Sequence, residues 1–334
     1  MRGSGDADPE DESRPALPAP LAAAGHGAAP HVKILMATRN GARFLETQLE
    51  SIAAQSHANW SLRIGDDGSD DATREIITAF RARHPTRDIE LIEGPRRGAA
   101  ANFLALLRHG PPPRVHVAFS DQDDIWLTHK LRRALGQIAA YPPQRPVLYG
   151  SRTIIADDHG RDRRTSRRHR RRLGFGNALV QNVIAGNTAV LNPAAARLMH
   201  RASAGTTVPF HDWWLYLMVS AAGGAVLLDP RPGLLYRQHW HNMLGASITP
   251  RDKVRRLRRL ASRDLARWNA ANIAALDANA ALLTPKARRL LAAFRALREA
   301  RGLTALRRLH RTGVYRQDAI EELVLYWAAL RGHF

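Results

Sequence analysis

The sequence has no cysteine in 334 residues, which excludes disulfides and thiolate metal sites and leaves the redox compartment open. No apolar run approaches the ~18 residues that a membrane span needs. The N-terminus has no basic segment followed by an apolar core. These absences lead us to expect a cytoplasmic protein, soluble or peripheral at the inner face of a membrane. Two phosphate-binding loops are missing as well. The turn after the first predicted strand reads Thr38-Arg39-Asn40-Gly41-Ala42-Arg43, without G-x-G-x-x-G, and no Gly-Lys-Ser/Thr loop occurs. A phosphate cradled by backbone amides is therefore set aside, and a metal is left to do that work.

Negative charge is scarce too: 30 Asp and Glu face 50 Lys and Arg, a net charge of +20. Residues 1–30 hold five acids against Arg2 and Arg14, and their Ala, Pro and Gly content predicts a disordered tail. The remaining chain therefore carries +23. Such a balance suits nucleic acid, anionic lipid or a phosphorylated substrate. In Arg161 to Arg172, eight of twelve residues are Arg, and so dense a run is expected to be a mobile loop that cannot pack. No aromatic interleaves it and no nucleic-acid-binding module surrounds it. The phosphates of a lipid-linked substrate or a membrane surface fit it as well.

What is present is a repeating alternation. Val32 to Ala37 reads as a buried strand, followed by a helix with Leu45, Leu49 and Ile52 on one face. Leu62 to Gly65, Ile89 to Ile92 and Val115 to Phe119 are the next strands, with helices between them. Four such rounds predict a mainly parallel sheet covered on both faces. Thr38, Asp66 and Asp121 would then line one crevice at the strand ends, where open α/β sheets bind ligands.

The chain is organised around Ser120-Asp121-Gln122-Asp123-Asp124-Ile125-Trp126, three carboxylates in four residues at the end of the fourth strand. Like charges this close repel, and hard oxygen ligands suit Mg2+ or Mn2+, which in turn bind phosphate oxygens. The competing reading is a solvated acidic turn with Asp124 or Thr128 capping the next helix. Downstream, Phe210-His211-Asp212-Trp213-Trp214 opens an apolar helix. Asp212 is there either a helix cap or, in a partly desolvated pocket, a general base. Trp213 and Trp214 either stack on sugar rings or fill the core. Ala225 to Leu228 and Leu234 to Tyr236 read as two strands, ending near His239 and His241. These histidines either bind metal or pair with backbone and water. From Pro250 the chain reads as basic and helical, with Val254, Leu257, Ala261 and Leu265 in a stripe and further helices near 284–300 and 317–331.

Taken together, Ala37 to Gly41, Asp66 to Asp71, Ser120 to Trp126, Gly186-Asn187-Thr188, His211 to Trp214 and Tyr236 to His239 resemble the family 2 glycosyltransferases. The likeness is nearest to the rhamnosyltransferase-like members that build bacterial cell-surface polysaccharides. The resemblance implies a GT-A fold, α/β and Rossmann-like, over residues 31–248. Its nucleotide-sugar half would span about 31–125 and its acceptor half about 126–248, with a helical region over 249–334. It implies that Thr38, Arg39, Asn40, Asp66, Asp67, Asn102, Asp121, Gln122 and Trp126 bind the nucleotide sugar. Asp121, Asp123 and His239 would hold a divalent metal, Mn2+ or Mg2+, and Asp212 would be the catalytic base of an inverting transfer. Asn187, Trp213 and Trp214 would meet the acceptor. The implied partners are a dTDP- or UDP-sugar, rhamnose among the sugars, and a glycan or lipid-linked acceptor, with peripheral contact to anionic membrane. The chain departs from the family at Arg39, often aromatic there. Gln238 to Asn242 also lacks the Q-x-x-R-W of processive synthases, so one sugar or a few per acceptor is expected. The competing classes are a basic nucleic-acid-binding protein and a nucleotidyltransferase. An acidic strand end that would repel a phosphate backbone counts against the first.

Overall fold

The computed structural model describes residues 29–157, 161, 163–238 and 263–332. The expected disordered tail (but for residues 29 and 30), His239, His241 and the stripe Val254, Leu257 and Ala261 lie outside the described residues. The chain begins with β1 (Val32–Thr38), α1 (Ala42–Ala53), β2 (Trp60–Asp66), α2 (Thr73–Arg83), β3 (Ile89–Glu93), α3 (Ala99–Arg108) and β4 (His116–Ser120). It continues with β5 (Ile125–Trp126), α4 (Lys130–Ile138), β6 (Val147–Ala156), β7 (Arg164–Thr165) and α5 (Phe175–Ala178). A 3-10 turn at Gly186–Thr188 leads to β8 (Val190–Leu191), α6 (Pro193–Ala202), α7 (His211–Ala221) and β9 (Ala225–Arg237). Four more helices follow: α8 (Arg263–Ala278), α9 (Pro285–Glu299), α10 (Gly302–Thr312) and α11 (Ala319–Arg331).

One sheet runs in the order β3-β2-β1-β4-β8-β6-β9-β5, with β7 beside β6. The pairings β1 with β2, β1 with β4, β2 with β3 and β6 with β9 are parallel. β8 is antiparallel to both β4 and β6, so the six longer strands all point one way. Only the two-residue strands β5, β7 and β8 oppose them. The mainly parallel α/β sheet expected from the alternation is therefore present. Residues of β1 alternate between its faces: Ile34 and Met36 join Leu45, Leu49, Ile77 and Leu131 on one side. Leu35 joins Phe103, Met199, Trp214 and Phe294 on the other. Both faces are covered, as a period of two along a buried strand requires. Leu276, Leu291, Leu309 and Leu325 of the last four helices belong to this second cluster, so those helices pack on the sheet domain's own core.

Three expectations change. Ala225–Arg237 is one strand, not two: Pro230 and Pro232 cannot donate to the ladder, and the strand passes them by bulging between Asp229 and Leu234. The arginine run does pack. Arg164 and Thr165 pair with β6, and Arg167 and Arg171 reach Asp318, Glu321 and Glu322 at the start of α11. The acids that neutralise it lie about 150 residues away, where a local reading of charge does not look. The helical region read from Pro250 onward gains a segment between the stretches expected near 284–300 and 317–331: helix α10, which buries Ala305 and Leu309 with Leu306 beside them and carries arginines around them.

Candidate active site

The strand order reverses between β1 and β4, and the carboxyl ends of β1, β2 and β4 come together there. Register aligns Thr38 with Asp66 and Met36 with Ser120. A cleft of about 1770 Å3 opens at this edge, the position that doubly wound sheets offer to ligands.

One wall is a set of interlocked turns. The Arg39 N–H donates to Gln122 Oε1 at 2.9 Å, and Gln122 Nε2 donates back to the Arg39 carbonyl at 3.0 Å. This clamp ties the β1 turn to the acidic turn after β4. A Cβ on Gly41 would lie 2.4 Å from Gln122 Oε1, so the clamp needs a glycine there. Asn40 sits in the left-handed region at φ 49°, and its Oδ1 accepts from the Asp70 N–H at 3.0 Å, a conformation Asn tolerates better than most residues. Asp67 accepts from the Arg96 and Gly98 amides at 2.6 and 2.7 Å, which fixes the loop entering α3. Asn102 Nδ2 donates to the Gly65 carbonyl at 2.7 Å.

The acidic turn forms the floor. Asp121, Asp123 and Asp124 each place a carboxylate oxygen within 4.8 Å of the others. Asp121 and Asp123 line the cleft, whereas Asp124 is fully buried and accepts from Asn187 Nδ2 at 2.8 Å. Beneath them lies Lys130, 1% exposed, donating from Nζ to the Asn187 carbonyl at 2.8 Å and seated 3.1 Å from the centre of the Trp126 ring. Desolvation raises the Asp121 carboxyl to about 7, helped by the charges of Asp123 and Asp212 and opposed by Lys130. Asp124 is pushed well up by burial and by the carboxylates of Asp123 and Asp121, and burial drives the Lys130 ammonium well down. One ammonium does not balance three carboxylates. Clustered hard oxygens held close to one another with an excess of negative charge fit a divalent cation such as Mg2+ or Mn2+.

Asp212 faces this floor from the start of α7. The helix cap position is Phe210 and makes no side-chain capping bond, so the cap reading of Asp212 does not hold. Its Oδ1 accepts from the Trp213 N–H at 2.7 Å and its Oδ2 from the Gly186 N–H at 3.2 Å. Burial raises its carboxyl to about 6, against these bonds and one from Asn182. Gly186 is obligatory in this contact, because a Cβ would stand 2.5 Å from His211 Nε2. His211 is stacked 4.0 Å from Phe103, and burial pushes its imidazole down to about 3, so it is neutral.

The structure thus gathers Thr38, Arg39, Asn40, Asp67, Asn102, Asp121, Gln122, Asp123, Asn187, Asp212 and Trp213 around one cleft. It places three other expected residues elsewhere. Trp126 is 2% exposed and packs in the core beneath the floor. Trp214 is wholly buried in the other core cluster, where its burial contributes about 2–3 kcal/mol that exposure to an acceptor would forfeit. Asp66 is also wholly buried, its oxygens taken by Ser69 and Arg74. Two residues were missed: Lys130, because a lysine at a helix start reads as solvent-facing, and Asn182, in a stretch with no motif. Asn182 is legible only through its contact with Asp212.

A model of glycosyl transferase family 2 matches residues 33–204, more than half of the chain. The chain belongs to glycosyl transferase family 2. This glycosyltransferase is 28% identical over 231 residues to the dTDP-rhamnosyl transferase RfbG of Shigella flexneri, covering 66% of this chain and 78% of that one. It is 30% identical over 124 residues to WfgD of Escherichia coli, a UDP-Glc:alpha-D-GlcNAc-diphosphoundecaprenol beta-1,3-glucosyltransferase, covering 37% of this chain and 46% of that one. Among solved structures, the mannosyltransferase PcManGT of Pyrobaculum calidifontis in complex with GDP-Man and Mn2+ matches with TM-score 0.49 and 18% identity, over 90% of this chain and 87% of that one. No helix of the described residues is long and apolar enough to cross a membrane.

Proposed function

We propose that this glycosyltransferase moves one sugar, with inversion, from a dTDP- or UDP-sugar to a glycan or lipid-linked acceptor at the inner membrane face. Residues 31–125 are read as the nucleotide-sugar half, 126–248 as the acceptor half and 249–334 as a helical extension. The observation that carries the reading is the juxtaposition of Asp212 with the acidic floor, close enough for its charge to act on Asp121. A divalent cation held by Asp121 and Asp123 would offset the charge of the leaving diphosphate. The chain's own residues do the rest. Thr38, Asn40, Asp67 and the Arg39–Gln122 clamp position the nucleoside. The Gly186 and Trp213 amides hold the Asp212 carboxylate, whose raised pKa fits it to take a proton near neutral pH. The acceptor oxygen gives that proton to Asp212 and bonds the anomeric carbon. The bond from that carbon to the diphosphate breaks on the opposite face, and the nucleoside diphosphate leaves with the electron pair. Likeness to RfbG supports a dTDP-linked deoxysugar as the first donor to try.

Asp212→Asn tests the base. The variant keeps shape and removes basicity, but its one amide oxygen cannot accept from both the Gly186 and the Trp213 N–H, so turnover falls by ~10² or more while donor affinity holds and the melting temperature drops slightly. The wild-type acid limb should follow the same carboxylate, with kcat/KM falling about tenfold per pH unit below about 6 as Asp212 takes up its proton. Near-normal turnover of Asp212→Asn would remove it from the chemistry.

A further inference from the structure

Every large hydrophobic side chain that is exposed among the described residues lies on α10 or α11. Leu303 is 69% exposed, Ile320 60%, Leu323 70%, Trp327 44% and Leu330 41%. The four on α11 recur at intervals of three, four and three, which sets them in one stripe along the helix. The opposite face of α11 is already used, with Leu325, Ala328 and Ala329 buried against the core. A helix that is apolar on two faces has a second apolar environment to meet.

Charge around the stripe has one sign. The acids at the start of α11 are spoken for by the arginine strap: Asp318 and Glu321 by Arg167, Glu322 by Arg171, and Glu321 again by buried Arg316. Arg331 lies over the Trp327 ring, and α10, which packs against α11, presents Arg307, Arg308 and Arg311 to solvent. The stripe also continues into the site: Ile320 begins it and lines the cleft together with Arg167 and Arg316.

We propose that the outer face of α11, framed by these arginines, docks on an anionic lipid bilayer and holds the cleft mouth at the surface from which the acceptor enters. This rests on the reading of the acceptor as lipid-linked. An apolar stripe seated among the acyl chains and arginines at the headgroups is the arrangement of an interfacial helix. A second copy of the chain is the less favourable occupant, because a two-fold contact would set the arginine frame against itself.

The test is co-sedimentation of the full chain with vesicles of phosphatidylglycerol and phosphatidylcholine, and of phosphatidylcholine alone. It compares wild type, Leu323→Ser/Trp327→Ser/Leu330→Ser and Arg307→Gln/Arg311→Gln, with Mn2+-dependent dTDP or UDP affinity measured alongside. The expected result is salt-sensitive binding to anionic vesicles only. The triple variant should lose at least about tenfold in association and the arginine variant less, both with unchanged nucleotide affinity and melting temperature. Wild-type binding to both vesicle types alike, or a triple variant that binds as wild type does, overturns the proposal. So does light scattering that shows a wild-type dimer which the triple variant dissociates. Absence of nucleotide binding in wild type would instead sink the donor reading and leave the vesicle result standing.

Discussion

Asp121, Asp123 and Asp124 crowd three carboxylates into four residues, and Arg161 to Arg172 crowds eight guanidinium groups into twelve. The acids sit under the strand ends with an ammonium, an amide and an indole packed beneath them. The arginines lie across the surface and draw in the carboxylates of a helix some 150 residues away. Water screens the second run, so whatever α11 leaves uncompensated costs little. It reaches the first only through the cleft, where Asp121 and Asp123 are half-buried above a wholly buried Asp124, so excess charge there is more expensive and is met inside the cleft. A buried run of like charge therefore makes a site for a counter-charged ligand. An exposed one makes an attachment between segments.

Breaking the first arrangement should cost most. Lys130→Met removes the buried amine that donates to the Asn187 carbonyl and sits over the Trp126 ring beneath the floor, a loss of about 1–3 kcal/mol in metal-free protein. Chemical denaturation measures it. An unchanged midpoint would mean that the amine does not stabilise the floor.

The pH response sharpens the contrast. Asp121 in the folded chain is raised to about 7 from its usual carboxylate value, by desolvation first and then by Asp123 and Asp212. The folded state thus holds a proton that the unfolded chain has released. The stability this contributes is full below the unfolded value and is lost as pH rises through about 7. His116, His211 and Lys130, all pushed down by burial, drive stability the other way, so the readout is a difference: between pH 5.5 and pH 8, metal-free wild type should lose melting temperature relative to Asp121→Asn. Equal changes in wild type and variant between those pH values would contradict the floor's electrostatics.

The smallest effect belongs to the strap. Arg167→Gln breaks two ion pairs whose guanidinium side is about half exposed, so about 0.5 kcal/mol is expected in low salt and less in high salt. A loss matching that of Lys130→Met would erase the distinction between the two runs.

Much of this was legible from the sequence. The alternation of strands and helices shows in the periodicity of Val32 to Phe119, because each strand buries both faces and each helix one. The floor and Asp212 show as carboxylates at element ends. What stayed hidden depends on contacts between distant segments. Lys130 is buried under Asn187, 57 residues on, which takes its ammonium on a backbone carbonyl. The strap packs only because α11 returns to it, and β9 survives its prolines only because β6 lies beside it. Trp126 and Trp214 are chemically fit to stack on a base or a sugar, and which way each points is settled by the packing of whole helices and not by its neighbours in sequence.

The central claim is that the acidic floor takes a divalent cation together with the donor's diphosphate, and calorimetry of dTDP and UDP with and without Mn2+ tests it most directly. Wild type should bind a nucleoside diphosphate only with the metal, and Asp123→Ala should lose about tenfold or more of that affinity by losing a hard oxygen ligand. Equal affinity in the variant, or wild-type binding that survives a chelator undiminished, would contradict the account.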